Sequence, residues 1–448
     1  MVRKIVILGA GESGVGAALL ASSKGYDVFV SDNGPIEDHY VQELENAGIE
    51  YEQNGHTKSR ILQSEALIKS PGIPENAGII QIARSGGLEI ISEIEFASRF
   101  TGAKIIGITG TNGKTTTTQL TYHLLKTSGL RVGIGGNIGT SMSRMIMEDT
   151  YDWLVIELSS FQLDDIIDFH PHIAIILNIT PDHLNRYADF DHYADAKLNL
   201  LKHMEGEDMV IYWNEDKVIG DRLQEINGSF QKTPVSLENQ DVFFRRENGS
   251  LMLGGLQIET KKLPIKGDHN HINVMCASAA AIGAGVSEDS IREGLLSFQG
   301  IPHRMEVVEE INGITFINDS KATNVEAVFY ALGTFSGPIT WIAGGQDKGN
   351  DYSKILPLVE EKVNALICLG IDNAKLMDVF GKVPNITETR DIKVAAKMAL
   401  EYSKINDVVL LSPACASFDL FKSYEDRGDQ FREAVAELKF ENEKTSLI

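Results

Sequence analysis

Short apolar runs recur along the chain, separated by longer stretches of helical character, and most runs end directly on a small or polar residue. The first four lie at 4–8, 27–30, 66–68 and 89–91. Such brief, unbroken runs read as buried strands, and their alternation with helices predicts a parallel α/β unit over 1–92. A second segment, 93–299, opens with the run 105–108 and continues through 153–156, 173–177 and 209–212. It turns strand-like and turn-rich over about 227–266, then reads as a buried helix at 277–284. The third segment, 300–448, carries runs at 314–317, 339–343, 365–369 and 408–411 and ends in a polar tail expected to fray.

Length supports this division, because 448 residues exceed what one core accommodates and suit about three domains. Three cysteines, Cys276, Cys368 and Cys415, have no metal-like spacing and suggest neither a zinc site nor a disulfide framework. A reducing cytoplasm is expected. Arg3 and Lys4 before an apolar run faintly imitate a signal peptide, but Glu12 and the glycines interrupt it. No run approaches the roughly 20 apolar residues of a membrane span. The formal charge of -22 argues against nucleic acid. It also means that phosphate ligands would need helix N-termini, a few cations and bound metal, so Mg²⁺ is expected.

Candidate chemistry gathers where the strands end, which is where open parallel sheets bind ligands. Gly110-Thr111-Asn112-Gly113-Lys114-Thr115-Thr116, after the run 105–108, reads as a nucleotide-triphosphate loop with shortened spacing. Its backbone N–H groups would surround phosphate, Lys114 would reach the outer phosphates and Thr115 would face Mg²⁺. Gly9-Ala10-Gly11-Glu12-Ser13-Gly14, with Asp32 ending the next strand, fits a dinucleotide, another diphosphate such as a UDP-sugar, or simply a tight turn. Ser70-Pro71-Gly72 lines the same cleft or is an ordinary turn. The fold expected is thus α/β in three domains: a Rossmann-like N-terminal unit, a central phosphate-loop mononucleotide-binding unit and a Rossmann-like C-terminal unit.

Glu157 follows a buried strand and is placed either to bind Mg²⁺ or to cap a helix. His183, in Asn178 to His183 beyond another strand, suits a metal or a phosphate. Lys197 has largely apolar neighbours three and four residues away if 191–204 is helical. Burial would favour its neutral amine, which can add CO₂ to become a carbamate; a lysine snorkelling to the surface is the plainer reading. In the last segment Asp319 to Asn324, with Thr323 or Asn324 as a helix cap, Lys348 and Ser412 to Ser417 follow three strands and suit a small anionic substrate.

Together with Gly267-Asp268-His269-Asn270 and Pro302-His303-Arg304, these motifs resemble, in order and over the whole chain, the Mur ligase family of ATP-dependent amide-forming enzymes of peptidoglycan synthesis. Asn318 to Asn324 and Ser412 to Ser417 resemble the branch that adds D-glutamate, and the Asp-Asn-Pro-Arg motif of diamino-acid-adding members is absent. The resemblance implies transfer of D-glutamate onto UDP-N-acetylmuramoyl-L-alanine through an acyl phosphate, with ATP and two Mg²⁺ ions, by a cytoplasmic monomer. It implies Lys114, His183 and Lys197 as catalytic residues, with Thr115, Glu157, His183 and carbamylated Lys197 at Mg²⁺. ATP would be bound by Gly110 to Thr116, Asn270, Arg304 and Asp319. The UDP-sugar would take Gly11, Ser13, Gly14, Asp32, Ser70, Gly72 and Asn137. D-Glutamate would take Lys321, Thr323, Lys348, Ser417 and Tyr424. Two positions depart from the family: Asn185 replaces a usual acid, and Asn33-Gly34-Pro35 lacks the basic residue expected near a uridine diphosphate. Rival readings are a related ligase for another amino acid, a folylpolyglutamate synthase, a nicotinamide-dependent oxidoreductase built on Gly9 to Gly14, or a nucleotide-binding regulator.

Overall fold

The computed structural model describes residues 3–182, 186–226, 228–347 and 349–445. These form two compact units, Met1–Leu263 with Asn270–Phe298, and Pro264–His269 with Gln299–Ile448.

In the first unit, β1 (Lys4–Leu8), β2 (Asp27–Ser31), β3 (Glu50–Glu52), β4 (Ala66–Lys69) and β5 (Glu89–Ser92) make a parallel sheet ordered β3-β2-β1-β4-β5. The onward connections of β1 and β4 leave to opposite sides, which opens a crevice beyond their carboxyl ends. A second sheet contains β6 (Lys104–Thr109), β7 (Val132–Gly136), β8 (Trp153–Glu157), β9 (Ile173–Ile176), β10 (Met209–Trp213), β11 (Gln231–Ser236), β12 (Phe244–Glu247), β13 (Ser250–Leu253) and β14 (Leu256–Glu259). Its order is β14-β13-β12-β11-β10-β9-β6-β8-β7. β6 lies between β8 and β9, parallel to both, so the residues ending these three strands meet. Ile5, Ile7, Val30 and Ile91 of the first sheet share one continuous core with Leu154, Ile156 and Ala174 of the second, which makes the two sheets one unit.

The second unit holds β15 (Glu306–Ile311), β16 (Ile314–Asn318), β17 (Ile339–Gly344), β18 (Val363–Leu369), β19 (Asn385–Thr389) and β20 (Val408–Ala414), ordered β15-β16-β20-β17-β18-β19. The α/β reading of the sequence holds in both units. Three local expectations change. The polar C-terminal stretch does not fray within the described residues but forms the helix Tyr424–Thr445. Phe431, Ala434, Val435 and Leu438, spaced along one helical face, pack into the core with Phe316, Val409 and Leu411. The helix carrying Lys197 is Phe190–Leu198 followed by the 3-10 turn Asn199–Leu201, not one helix over 191–204. The helix expected at 277–284 begins earlier and spans Asp268–Gly283.

Candidate active site

The phosphate loop leaves β6 at Thr109 and enters the helix Lys114–Thr127 through Gly113, whose φ of 88° is the left-handed conformation that favours glycine. A Cβ at Gly113 would also meet Asn273 Oδ1 at 2.7 Å. The loop is laced to the segment after β9. Thr111 N donates to Asn178 O at 2.8 Å, Asn112 N donates to Asn178 Oδ1 at 2.8 Å, and Asn178 Nδ2 donates back to Asn112 O at 3.0 Å. Thr111 Oγ1 lies 3.0 Å from the Tyr193 hydroxyl and accepts from Thr180 N at 3.0 Å. Asn178 and Tyr193 thus hold the loop and Asn273 packs against it, a role the sequence reading gave to none of the three. Asn178 directly follows the apolar run 173–177, so its position was a usable signal; Tyr193 and Asn273 come from distant helices and gave none.

Lys114 Nζ donates to the carbonyls of Gly110 and Thr111, each at 2.8 Å, and Lys197 Nζ donates to the same Gly110 carbonyl at 2.8 Å. Lys197 is 2% exposed, which rules out snorkelling. Its amine lies 4.7 Å from the centroid of the Tyr193 ring. Burial, then the charge of Lys114, drive its pKa well below the ordinary lysine value; Asp182, Asp164 and Glu157 pull more weakly the other way. Two lysine amines on one carbonyl, one of them dry, disfavour the charged form of Lys197.

Glu157, at the end of β8, is buried. Its Oε1 accepts from Asn137 Nδ2 at 2.9 Å, and its backbone carbonyl accepts from Asn137 N at 2.8 Å. Its Oε2 is buried and accepts no hydrogen bond within the described chain. Asn137, expected at the UDP-sugar, is placed here as the partner of Glu157. An orphaned carboxylate oxygen one strand from the phosphate loop fits Mg²⁺, which usually takes one or two protein carboxylates and completes its shell with phosphate and water. No group of three or more His, Cys, Asp or Glu among the described residues could hold a metal by itself. Thr115 is buried in the first turn of the helix, and the Thr116 hydroxyl is buried without a partner. Asn270 is buried and accepts from Asn273 Nδ2 at 3.1 Å. His183 and Asn185 lie outside the described residues.

At the crevice of the first sheet, the three glycines after β1 differ in what the protein demands of them. A Cβ at Gly14 would stand 1.9 Å from Gly9 O, so packing alone requires glycine there, whereas a Cβ at Gly11 would meet nothing within 4 Å. Gly11 is exposed, and Ser13 is half-buried in the first turn of the helix Glu12–Ser23. Asp32 is committed to the loops: Oδ2 accepts from Ala10 N at 2.7 Å and Oδ1 from Gly34 N at 2.8 Å. Ser70 N donates to Leu8 O at 3.0 Å, which sets the Ser70 to Gly72 turn beside Gly9.

In the second unit, loops from β16, β20 and β17 lie side by side and are clamped by Arg427, a residue the sequence reading missed. Arg427 is 1% exposed; its Nε donates to Ser320 Oγ at 2.9 Å and its Nη2 to Ser320 O at 2.8 Å. Its Nη1 reaches Gly344 O at 3.4 Å and Cys415 O at 3.3 Å, so one guanidinium spans all three loops. Burial lowers its pKa to about 10. Lys321 Nζ sits 5.3 Å from the Tyr424 ring centroid, and the Tyr424 carbonyl accepts from Ser320 Oγ at 2.8 Å. Thr323 is exposed and Ser417 is buried. Asn324, not Thr323, caps the helix Val325–Thr334, accepting from Ala327 N at 2.8 Å. Asp319 is buried; burial raises its pKa to about 7, against the lowering influence of Arg304 and the hydrogen bond from Ser412 Oγ at 2.8 Å. Lys348 lies outside the described residues.

Three family models match the chain: a MurD N-terminal domain over residues 4–79, a Mur ligase middle domain over 108–281, and a Mur ligase, glutamate ligase domain over 303–415. The UDP-N-acetylmuramoylalanine--D-glutamate ligase of Christiangramia forsetii is 48% identical over 98% of this chain and 100% of its own length. The enzyme of the same name from Cytophaga hutchinsonii is 47% identical over 98% of this chain and 100% of its own length. Among solved structures, UDP-N-acetylmuramate-alanine ligase MurC from Thermotoga maritima aligns with a TM-score of 0.61 at 18% identity, covering 97% of this chain and 100% of that one. MurF ligase from the same organism, in complex with ADP, aligns with a TM-score of 0.59 at 18% identity, covering 86% of this chain and 91% of that one. With a phosphate loop, a dry lysine and an orphaned carboxylate at one sheet end, and with full-length relatives of this identity, the chain belongs to the Mur ligase family.

Proposed function

We propose that this chain is an ATP-dependent ligase that joins D-glutamate to UDP-N-acetylmuramoyl-L-alanine, a step of peptidoglycan precursor synthesis. The observation that carries the reading is the convergence of Lys114 and buried Lys197 on the Gly110 carbonyl, next to the unpartnered oxygen of Glu157. Such a site manages the charge of a transferring phosphoryl group, and the full-length D-glutamate ligases supply the substrate pair.

In this reading the terminal carboxylate of the sugar nucleotide attacks the γ-phosphorus of ATP, and the bond to ADP breaks. The amine of D-glutamate then attacks the acyl carbon, and inorganic phosphate leaves. The loop from Gly110 to Thr116 binds the phosphates through backbone N–H groups and the helix N-terminus, and Lys114 turns from the loop carbonyls to the outer phosphate. Asn270, Arg304 and Asp319 serve the nucleotide. Thr115, Glu157, His183 and carbamylated Lys197 are the Mg²⁺ donors; the bound ions would neutralise phosphate charge. Carbamylation joins the Lys197 amine nitrogen to the carbon of CO₂ and releases one proton, which converts a buried amine into an anionic oxygen ligand. Gly11, Ser13, Gly14, Ser70 and Gly72 hold the sugar nucleotide, with Asp32 and Asn137 shaping its surroundings. The segments 1–92, 93–299 and 300–448 then correspond to sugar-nucleotide, ATP and amino-acid domains, the last holding D-glutamate at Lys321, Thr323, Lys348, Ser417 and Tyr424.

Phosphate release from ATP with UDP-N-acetylmuramoyl-L-alanine, supplied with D-glutamate or another amino acid in turn, tests the proposal. Release that requires D-glutamate is expected; release indifferent to it would refute the substrate assignment.

A further inference from the structure

A cleft of about 330 Å³ lies in the first unit between the strand β4 side of the first sheet and the segment after β8. Its basic residues are unequally placed. Lys69 pairs with Asp165 at 2.6 Å and also with Glu75; Arg84 pairs with Glu75 at 2.5 Å. His192 pairs with Asp189 at 2.7 Å. Arg186 also lines the cleft but forms no ion pair among the described residues, in a chain with a formal charge of -22. Its guanidinium is held by two neutral contacts: Nη1 donates to Gly72 O at 3.3 Å, and the group lies 4.5 Å from the centroid of the Phe161 ring. An arginine carries five N–H donors in a fixed fork, and one is committed to Gly72. Asp164, another acid of the cleft, accepts from the Tyr187 hydroxyl at 2.8 Å, and burial raises its pKa to about 6.

The perch is rigid. Phe161 stacks on Tyr187 at 5.8 Å with an interplanar angle of 9°, and Tyr187 meets Tyr193 edge-on at 5.5 Å. Tyr193 in turn touches Thr111 of the phosphate loop and underlies Lys197. Arg186 therefore touches the Ser70 to Gly72 turn and sits at one end of a ladder of rings whose other end touches the phosphate loop.

We propose that Arg186 is a substrate-binding residue that takes an anionic group of the sugar nucleotide, its diphosphate or its carboxylate. The assignment rests on the ligase reading above. Its test is a set of KM and calorimetric measurements on full-length Arg186→Ala, Arg186→Lys and Arg186→Gln, with UDP, N-acetylmuramoyl-L-alanine and UDP-N-acetylmuramoyl-L-alanine as ligands. Expected for Arg186→Ala is a rise of about tenfold or more in KM for the sugar nucleotide, with kcat and the KM values for ATP and D-glutamate within about twofold. Arg186→Lys should recover part of the loss. Weaker UDP binding identifies the diphosphate as the anion; weakening confined to ligands with the carboxylate identifies the latter. If Arg186→Ala does not fold, Arg186→Gln gives the same readout with most of the packing kept. Unchanged sugar-nucleotide KM and affinity in a folded variant would overturn the proposal. Failure of the wild type to bind any sugar nucleotide would instead overturn the ligase reading.

Discussion

Around the phosphate loop several buried polar groups lack protein partners, whereas the buried polar groups that Arg427 and Asp319 join in the second unit are hydrogen-bonded to one another. Glu157 Oε2, Thr116 Oγ1 and Thr180 Oγ1 are buried and unpartnered, and Lys197 is packed dry beside a second lysine. By contrast, the Arg427 guanidinium reaches Ser320, Gly344 and Cys415, and Asp319 accepts from Ser412 and from Met305 N. Both regions lie beyond the carboxyl ends of parallel strands. The first stores unfavourable electrostatics that a phosphate ligand or a cation would relieve, and the second spends its hydrogen bonds on holding loops in place.

The comparison predicts that substituting the unpartnered groups of the first region removes activity and leaves stability intact, whereas removing the Arg427 clamp of the second costs stability first. Lys197→Ala should lower turnover by about a thousandfold, with no loss of thermal stability, and short carboxylic acids should restore part of it. Undiminished turnover would remove Lys197 from the mechanism. Glu157→Gln keeps the shape and the Asn137 contact but deletes the charge on the orphaned oxygen; kcat should fall about a hundredfold while the melting temperature stays level or rises. A lower melting temperature with normal kcat would make Glu157 structural.

Arg427→Ala should act the other way. Three loops lose their common clamp and several carbonyls lose a buried donor, so denaturant unfolding should show a loss of about 3 kcal/mol. The KM for D-glutamate should rise while the affinity for ATP analogues measured by calorimetry changes less. Equal stability of variant and wild type would show that the clamp does not hold the loops.

The smallest effect concerns pH, with one carboxyl in each unit. Burial raises Glu93 from 4.5 to about 7 and Asp319 from 3.8 to about 7. Between those limits the folded protein keeps protons that the unfolded chain has released, so stability falls as pH rises from about 4 to 7. Glu93→Gln and Asp319→Asn should each flatten that slope and raise the melting temperature at pH 8 relative to wild type. Slopes identical to wild type would mean that both carboxyls ionise freely in the folded state.

The central strands were legible because they are buried on both faces and therefore read as unbroken apolar runs: β1, β6, β8, β9, β17 and β20 all stood out. The edge strands β3, β15 and β19 did not, although the edge strand β5 did. β3 is Glu-Tyr-Glu, β15 carries three glutamates and β19 is largely polar, since one side of each needs no apolar cover. The C-terminal helix was hidden by its polar composition, although the spacing of Phe431, Ala434, Val435 and Leu438 records the face it buries. At the site, residues directly following strands were found, because the sheet fixes where they point. Tyr193, Asn273, Arg186 and Arg427 were not, because each reaches its partner from a distant part of the chain and no local pattern records the contact. For Lys197, apolar neighbours hinted at burial, but only the fold shows that a second lysine shares its carbonyl.

The account turns on Lys197 being a neutral amine that becomes a carbamate. A ¹³C spectrum of the full-length protein in ¹³C-bicarbonate, recorded for wild type and Lys197→Ala, tests this most directly. The account predicts a protein-bound carbamate resonance in the wild type, lost in the variant, with an intensity that follows ligase activity as bicarbonate is removed. An active wild-type enzyme with no such resonance would contradict it.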